Sequence, residues 1–223
     1  MTLELRFDDE LRRLIGDNLQ RHPVRALDRA GRKRAAVAFT LVNTSRAAGI
    51  GNIAHDEAQR HQAAFVLTTR AATLSSHAGQ RAYPGGRLDP FETAPQAALR
   101  ELAEEVGLEL EPASVLGLLD DYPTRSGYVI TPVVVWGKPD AELVPNPGEV
   151  DRIHRIPLRE LMRDEVPLLD RIDESPNPVL RMPLGDDWFA APSAAIAYQF
   201  REVALLGRTT RVAHYEQPHF AWR

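Results

Sequence analysis

Between Gly86 and Leu108 the chain places Glu101, Glu104 and Glu105 at the helical spacing i, i+3, i+4, which gathers three carboxylates within one arc. Such hard oxygen donors suit a divalent cation. Ala98, Leu99, Leu102 and Val106 fill the neighbouring arc and predict a packed face beside the charged one. Glu101 and Glu105 form a like-charge i,i+4 pair with no lysine on their face, an arrangement that costs roughly a few tenths of a kcal/mol unless a cation offsets it. A merely solvated acidic face is therefore the weaker reading. Arg100, four residues before Glu104, supplies the local compensation.

The residues around this helix are chosen to bound it. Thr93 and Gln96 form a capping box, Pro95 lies in the first turn, and Gly107 stands where the residue after the helix needs a positive φ. Upstream, Pro84-Gly85-Gly86 predicts a turn whose backbone, lacking Cβ atoms at the two glycines, can approach a ligand or a metal. The chain has no cysteine, so disulfides, thiolate metal sites and a cysteine nucleophile are all excluded. Any metal must then be held by oxygen or histidine, and carboxylates favour Mg²⁺ or Mn²⁺.

Gly86, Glu92, Arg100, Glu101, Leu102, Glu104, Glu105, Gly107 and Leu108 fill every position of G-x5-E-x7-R-E-U-x-E-E-x-G-U, with U aliphatic. The chain thereby resembles the Nudix hydrolases. Chance agreement at seven fixed positions would arise at a given start about once in 10⁸ on average composition. Upstream, Leu67, Thr68, Arg70, His77, Gly79, Pro84, Gly85 and Gly86, with Tyr83 for phenylalanine, are similar to the coenzyme A pyrophosphatase branch; Ser75 stands where that branch usually has arginine. Thr124 to Pro132, Asn146-Pro147 with Glu149-Val150, and Pro157-Leu158 extend the likeness, whereas 190–195 keeps the branch's helix motif poorly.

The resemblance implies an α+β fold, a mixed β-sheet between helices (an α/β/α sandwich). It also implies Glu101, Glu104 and Glu105 as metal ligands, Glu105 the least replaceable, with the Gly86 carbonyl as a fourth. Arg100 would orient Glu92 or Glu104 by charged hydrogen bonds. For the general base, Glu149 on a loop competes with Glu101. Arg70, Arg81 and Arg87 near the turn suit phosphate, as does His77, while Ser126 and Tyr128 are further substrate candidates; for each, a structural role is the alternative. The activity expected is metal-dependent cleavage of the diphosphate in coenzyme A or its acyl esters. ADP-ribose, NADH or another nucleoside diphosphate derivative is the enzymatic alternative, and a catalytically silent nucleotide-binding module is the alternative of another class. An isomerase on the same fold that relies on cysteine is excluded.

The elements that must carry these residues are legible in outline. At 223 residues with 43% hydrophobic content, the chain can bury the core of one domain spanning 1–223. Its centre is expected at about 35–165, its N-terminal helix at 8–20, and its C-terminal helix and tail at 190–223. Leu11, Leu14, Ile15 and Leu19 have helical spacing before the His22-Pro23 break. Ala35 to Val42, Ala63 to Thr68, Val115 to Leu119, Tyr128 to Trp136 and Arg152 to Ile156 read as strands, with Pro132 arguing for an irregularity. Asn43 to Arg60 and Pro139 to Gly148 read as loops, and Leu158 to Arg163 as the start of a helix. The prolines and charges of Pro167 to Asp187 predict connections or a short hairpin rather than a long regular element. In the tail, Tyr215, Phe220 and Trp222 could cover the core, close the pocket or meet a second subunit in a homodimer.

The net charge of −4 gives no electrostatic footprint for nucleic acid, and Arg32-Lys33-Arg34 is expected on a solvated turn. With no apolar run of about 18 residues and no signal-peptide pattern at the first residues, the expectation is a cytoplasmic protein without a membrane partner.

Overall fold

The computed structural model describes residues 5–28, 30–45, 53, 59–73 and 78–219. Ser75, His77, most of the expected loop between Asn43 and Arg60, and the tail residues Phe220 and Trp222 lie outside the described residues.

Helix α1 (Asp9–Arg21) begins where the Asp8 carboxylate accepts from the backbone N–H groups of Glu10 and Leu11, at 3.1 and 3.0 Å. It buries Leu11, Ile15 and Leu19. Strand β1 (Lys33–Asn43) follows, so the basic run opens a strand instead of lying on a turn: Arg34 reaches the Thr131 hydroxyl at 2.9 Å. It is followed by β2 (Ala63–Arg70), β3 (Arg81–Ala82), β4 (Gly85–Arg87) and helix α2 (Ala94–Val106). Beyond α2 come β5 (Val115–Leu118), β6 (Tyr122–Pro123), β7 (Tyr128–Trp136) and β8 (Val150–Pro157). The expected helix at Leu158 is a short 3₁₀ segment, Leu158–Met162.

These strands form one mixed sheet in the order β3-β2-β1-β7-β5, with β4 added to β1, β6 to β7 and β8 to β2. Only β1 and β7 run parallel among the described pairs. Pro132 leaves β7 unbroken. It stands between the two partners of that edge: β5 ends opposite Val133, β6 pairs from Ile130, and the Pro132 carbonyl accepts from Leu119 N–H at 3.0 Å. A missing N–H is tolerated where the partner changes.

Alternation along β1 divides the core. Ala36 and Ala38, with Val133 and Val135 of β7, pack under Ala97, Ala98, Leu102 and Val106 of α2. Phe39 and Leu41 face the other way, onto α1 and onto helix α3 (Ser193–Phe200), which continues as a π-helical turn, Arg201–Leu205. Helices thus cover both faces of the sheet. No helix among the described residues is long and apolar enough to cross a membrane.

The segment 168–190 is more regular than the expected connections or short hairpin. It forms a second, antiparallel sheet of β9 (Leu168–Ile172), β10 (Ser175–Leu184) and β11 (Asp187–Ala190). Pro176 and Pro178 fall within a register shift between Ser175 and Val179, and Pro183 stands in the ladder opposite Trp188. Leu180, Met182, Leu184 and Phe189 then join the same apolar cluster as Phe39 and Phe65.

Both ends of the chain meet on Asp120. Its buried carboxylate accepts from His22 Nε2 at 3.1 Å, Arg25 N–H at 2.8 Å, Gln199 Nε2 at 2.8 Å and Arg211 Nη1 at 2.6 Å. In the tail, the Tyr215 carbonyl accepts from Tyr122 Oη at 2.8 Å.

Candidate active site

The site opens where the neighbours of β1 part. The C-terminal half of β1 pairs with β2 through Leu41–Asn43, whereas its N-terminal half pairs with β4 through Ala35–Val37. The divergence leaves a cavity of about 920 Å³ lined by Thr69 and Arg70 on one side and Gly85, Gly86 and Arg87 on the other. Ser126 and Tyr128 line a further wall, and Asp187 to Ser193 complete it.

Helix α2 presses against the glycine turn from behind. The capping box of Thr93 and Gln96 is formed, and Gly107 closes the helix at φ +68. A Cβ at Gly85 would lie 2.4 Å from the Ala36 carbonyl oxygen, and one at Gly86 would lie 2.1 Å from Glu101 Oε1. Glycine at these positions lets β4 pair with β1 while a carboxylate sits against its backbone.

Glu101 and Glu105 are buried on this inner side of the helix. Burial pushes the Glu105 carboxyl up to about 8, with the Glu101 and Glu149 charges acting in the same direction; the Arg70 charge and a hydrogen bond from the Gly85 backbone oppose them. Burial also raises Glu101, against the hydrogen bond from Arg100. Two buried carboxyls are therefore held side by side here, with Arg100 at Glu101 and the Arg70 charge at Glu105 offsetting their burial only in part.

Glu104 does not join the pair. Its side chain is 53% exposed and accepts from Arg100 Nη1 at 3.0 Å. Among the described residues no three acidic or histidine side chains are gathered closely enough to hold a metal ion as they stand. The reason is helical phase: Glu101 and Glu105 are about 40° apart, and Glu104 is about 100° from Glu105, toward solvent.

Arg100 is the hub of the acidic side. It donates to both Glu92 oxygens at 2.9 and 3.1 Å, to Glu101 at 2.9 Å, to Glu104 at 3.0 Å and to the Arg87 carbonyl at 3.1 Å. The Arg100 hydrogen bonds hold Glu92 below the usual carboxylate range. Glu149, half-buried, follows β7 on a loop fixed by its carbonyl to Ala71 N–H at 2.9 Å and by its N–H to Asn146 at 3.0 Å.

The arginines divide by partner. Arg81 is committed to Asp187 at 2.7 Å and to the Trp188 carbonyl at 3.0 Å. Arg87 donates to Tyr128 Oη at 2.7 Å and lies over that ring, 5.4 Å from its centroid. Arg70 lines the cavity with a buried Nε that meets no acceptor. Ser126 Oγ bonds Thr124 Oγ1 at 3.1 Å. Behind Thr69, His154 Nε2 meets the hydroxyl at 2.7 Å; burial, with the Arg81 and Arg152 charges, lowers that imidazole to about 4. Sequence reading passed over Thr69, Gln80, Asp187, Trp188, Ser193 and Gln217, all of which line the cavity. The adjacent Trp188-Phe189 pair after Gly185 was the available signal.

The arrangement of glycine turn, capped helix and inward glutamates agrees with a family profile described as NUDIX domain, which matches residues 45–180. The chain belongs to the Nudix family. A protein named Uncharacterized Nudix hydrolase NudL from Enterobacter sp. (strain 638) is 33% identical over 163 residues, 73% of this chain and 74% of that one. Its namesake from Photorhabdus laumondii subsp. laumondii is 45% identical over 99 residues, 44% of this chain and 53% of the relative. The chain thus spans about half the length of the Photorhabdus Nudix protein it matches. A solved MutT/nudix family protein from Enterococcus faecalis aligns at 16% identity and a TM-score of 0.45, over 71% of this chain and 51% of that chain.

Proposed function

We propose that the chain is a metal-dependent hydrolase that splits the diphosphate linkage of a nucleoside diphosphate derivative, with coenzyme A or its acyl esters as first substrate. The products would be 3′,5′-ADP and (acyl)phosphopantetheine. The observation that carries this reading is the pair Glu101 and Glu105, buried beside a cavity that also presents Arg70, whose Nε meets no acceptor. A silent binding module has no need of two buried carboxylates held at such a cost.

Paired hard oxygen donors fit Mg²⁺ or Mn²⁺. Glu101 and Glu105 with the Gly86 carbonyl are the groups that would hold it, and Glu104 joins on leaving Arg100. When bound, such a cation neutralises diphosphate oxygens that otherwise repel an attacking water. Arg70 draws the diphosphate to the cavity wall next to Glu105. Glu149 is the favoured general base, because Glu101 is already engaged by Arg100, whereas Glu149 is half-exposed and its charge acts on both buried glutamates. Arg100 and Glu92 hold the acidic side in register without touching substrate.

The test is chromatography of products after incubation with Mg²⁺ or Mn²⁺ and coenzyme A, ADP-ribose or NADH, with Glu105→Gln as control. Release of 3′,5′-ADP and phosphopantetheine by the wild type alone supports the coenzyme A assignment. Cleavage only of another substrate moves the assignment to that one, and no cleavage of any substrate returns the chain to the binding-module class.

A further inference from the structure

The turn end of the second sheet, from Arg181 through β11, lies beyond residues 45–180, the part that the family profile describes. Its β10–β11 hairpin has two unlike faces. Met182 and Phe189, directly paired, are buried in the core, whereas Trp188 stands on the opposite face, 38% exposed, and lines the cavity. The indole thus stands outside the apolar core that the opposite face of the hairpin joins.

Three observations say what the ring faces. The Arg181 guanidinium covers it at 4.6 Å from the ring centroid, and Arg181 is itself held by Asp170 Oδ1 at 2.7 Å. The Trp188 carbonyl is bonded to Arg81 Nη1 at 3.0 Å, and Asp187 clamps both Arg81 and Trp188 N–H, at 2.7 and 2.8 Å. The ring therefore stands on a rigid backbone tied to β3, the strand that leads into the Gly85-Gly86 turn. Finally, the same cavity holds the Arg70 guanidinium with its unpaired Nε.

We propose that Trp188 is the stacking platform for the nucleobase of the substrate. The inference rests on the reading above that the substrate carries a nucleoside diphosphate. One indole face is occupied by a cation, which leaves one slot for a planar π-system, while Arg70 and the glutamate side take the charged diphosphate. The base is thereby selected for its flat face, and the group beyond the second phosphate is left unrestricted by this wall.

The test titrates the full chain in Mg²⁺ with ADP, checked intact by chromatography, and with inorganic pyrophosphate, which shares the diphosphate and lacks the base. Calorimetry on Trp188→Ala is expected to show ADP affinity falling about ten- to a hundredfold, with pyrophosphate affinity unchanged. Trp188→Phe, which keeps an aromatic face and guards against misfolding of the alanine variant, is expected to retain ADP affinity within about threefold. ADP affinity that ignores Trp188→Ala, or an equal loss for ADP and pyrophosphate, overturns the proposal. Hydrolysis is scored separately in the same proteins. An inactive chain that binds ADP through Trp188 refutes the hydrolase reading alone, and an active chain indifferent to Trp188 refutes the platform alone.

Discussion

Gly86→Ala separates the chemistry of the site from its folding. The new methyl group would lie 2.1 Å from Glu101 Oε1 and 2.6 Å from its Cδ, so the carboxylate must retreat by at least about 0.9 Å to regain even a 3.0 Å contact. The obstacle is the far end of a side chain, and rotation of Glu101 relieves it. What is lost is the 2.9 Å contact with the part-exposed Arg100, so stability should fall by no more than about 1 kcal/mol. A displacement near 1 Å at a reacting centre costs about 10²-fold in rate. The expected result is a near-native melting temperature, Mn²⁺ affinity weakened at least tenfold by calorimetry, and kcat/KM for the cleaved substrate down about 10²-fold. Gly85→Ala is the contrast: its methyl group meets the Ala36 carbonyl oxygen at 2.4 Å and Val37 Cα at 2.7 Å. Only separation of β4 from β1 relieves that overlap, so its melting temperature should drop sharply. The reasoning is refuted if Gly86→Ala binds Mn²⁺ and turns over substrate like wild type, or if it melts as early as Gly85→Ala.

Further outcomes are expected elsewhere. Because the Glu105 carboxyl is raised from 4.5 to about 8 in the folded chain, its contribution to stability is fully present below pH 4.5 and is lost as pH rises toward 8. Metal-free protein in EDTA should therefore melt progressively earlier across that window, and Glu105→Gln should flatten the profile; a profile identical in both proteins would rule the assignment out. Arg70→Ala should raise KM about ten- to a hundredfold with an unchanged melting temperature, through loss of a charge-assisted phosphate contact; an unaltered KM in steady-state kinetics would place phosphate binding elsewhere. Asp120→Ala leaves His22, Gln199 and Arg211 without their buried acceptor and should destabilise by about 3–5 kcal/mol in urea unfolding. A loss below about 1 kcal/mol would show that the two chain ends are held by packing instead.

Helix α2 was legible because its information is local: the cap, the proline, the terminal glycine and the apolar arc all act within 15 residues of one another. The strands β1, β2 and β7 were equally plain from their β-branched and apolar runs. The outward turn of Glu104 onto Arg100 was not legible, because spacing alone gathers i, i+3 and i+4 loosely, and only the packing of α2 onto β1 decides which of the three turns inward. The second sheet was misread because Pro176 and Pro178 act as breakers in any local argument, while the register shift that absorbs them depends on pairing with β9. Trp188 escaped notice for the same reason. Its place at the cavity is fixed by Arg81, 107 residues away in sequence, and no window of the chain contains both. Arg70 was identified as a phosphate candidate, yet nothing in the sequence distinguished it from Arg81 and Arg87, whose partners appear only in three dimensions.

The five hydrogen bonds of Arg100 bear on how such a protein can change over generations. Glu92, Glu101, Glu104 and the 87–92 loop all lean on one guanidinium, so a replacement at any of them disturbs the others, and viable routes through sequence space must alter several positions in step. Among the described residues the hydrogen bonds of the β10–β11 hairpin go elsewhere, to Arg81, Asp170 and Arg163. Trp188, Arg181, Asp187 and Arg81 form a second interlocked set, so the wall that receives the substrate can change as a unit of its own while the acidic centre stays locked.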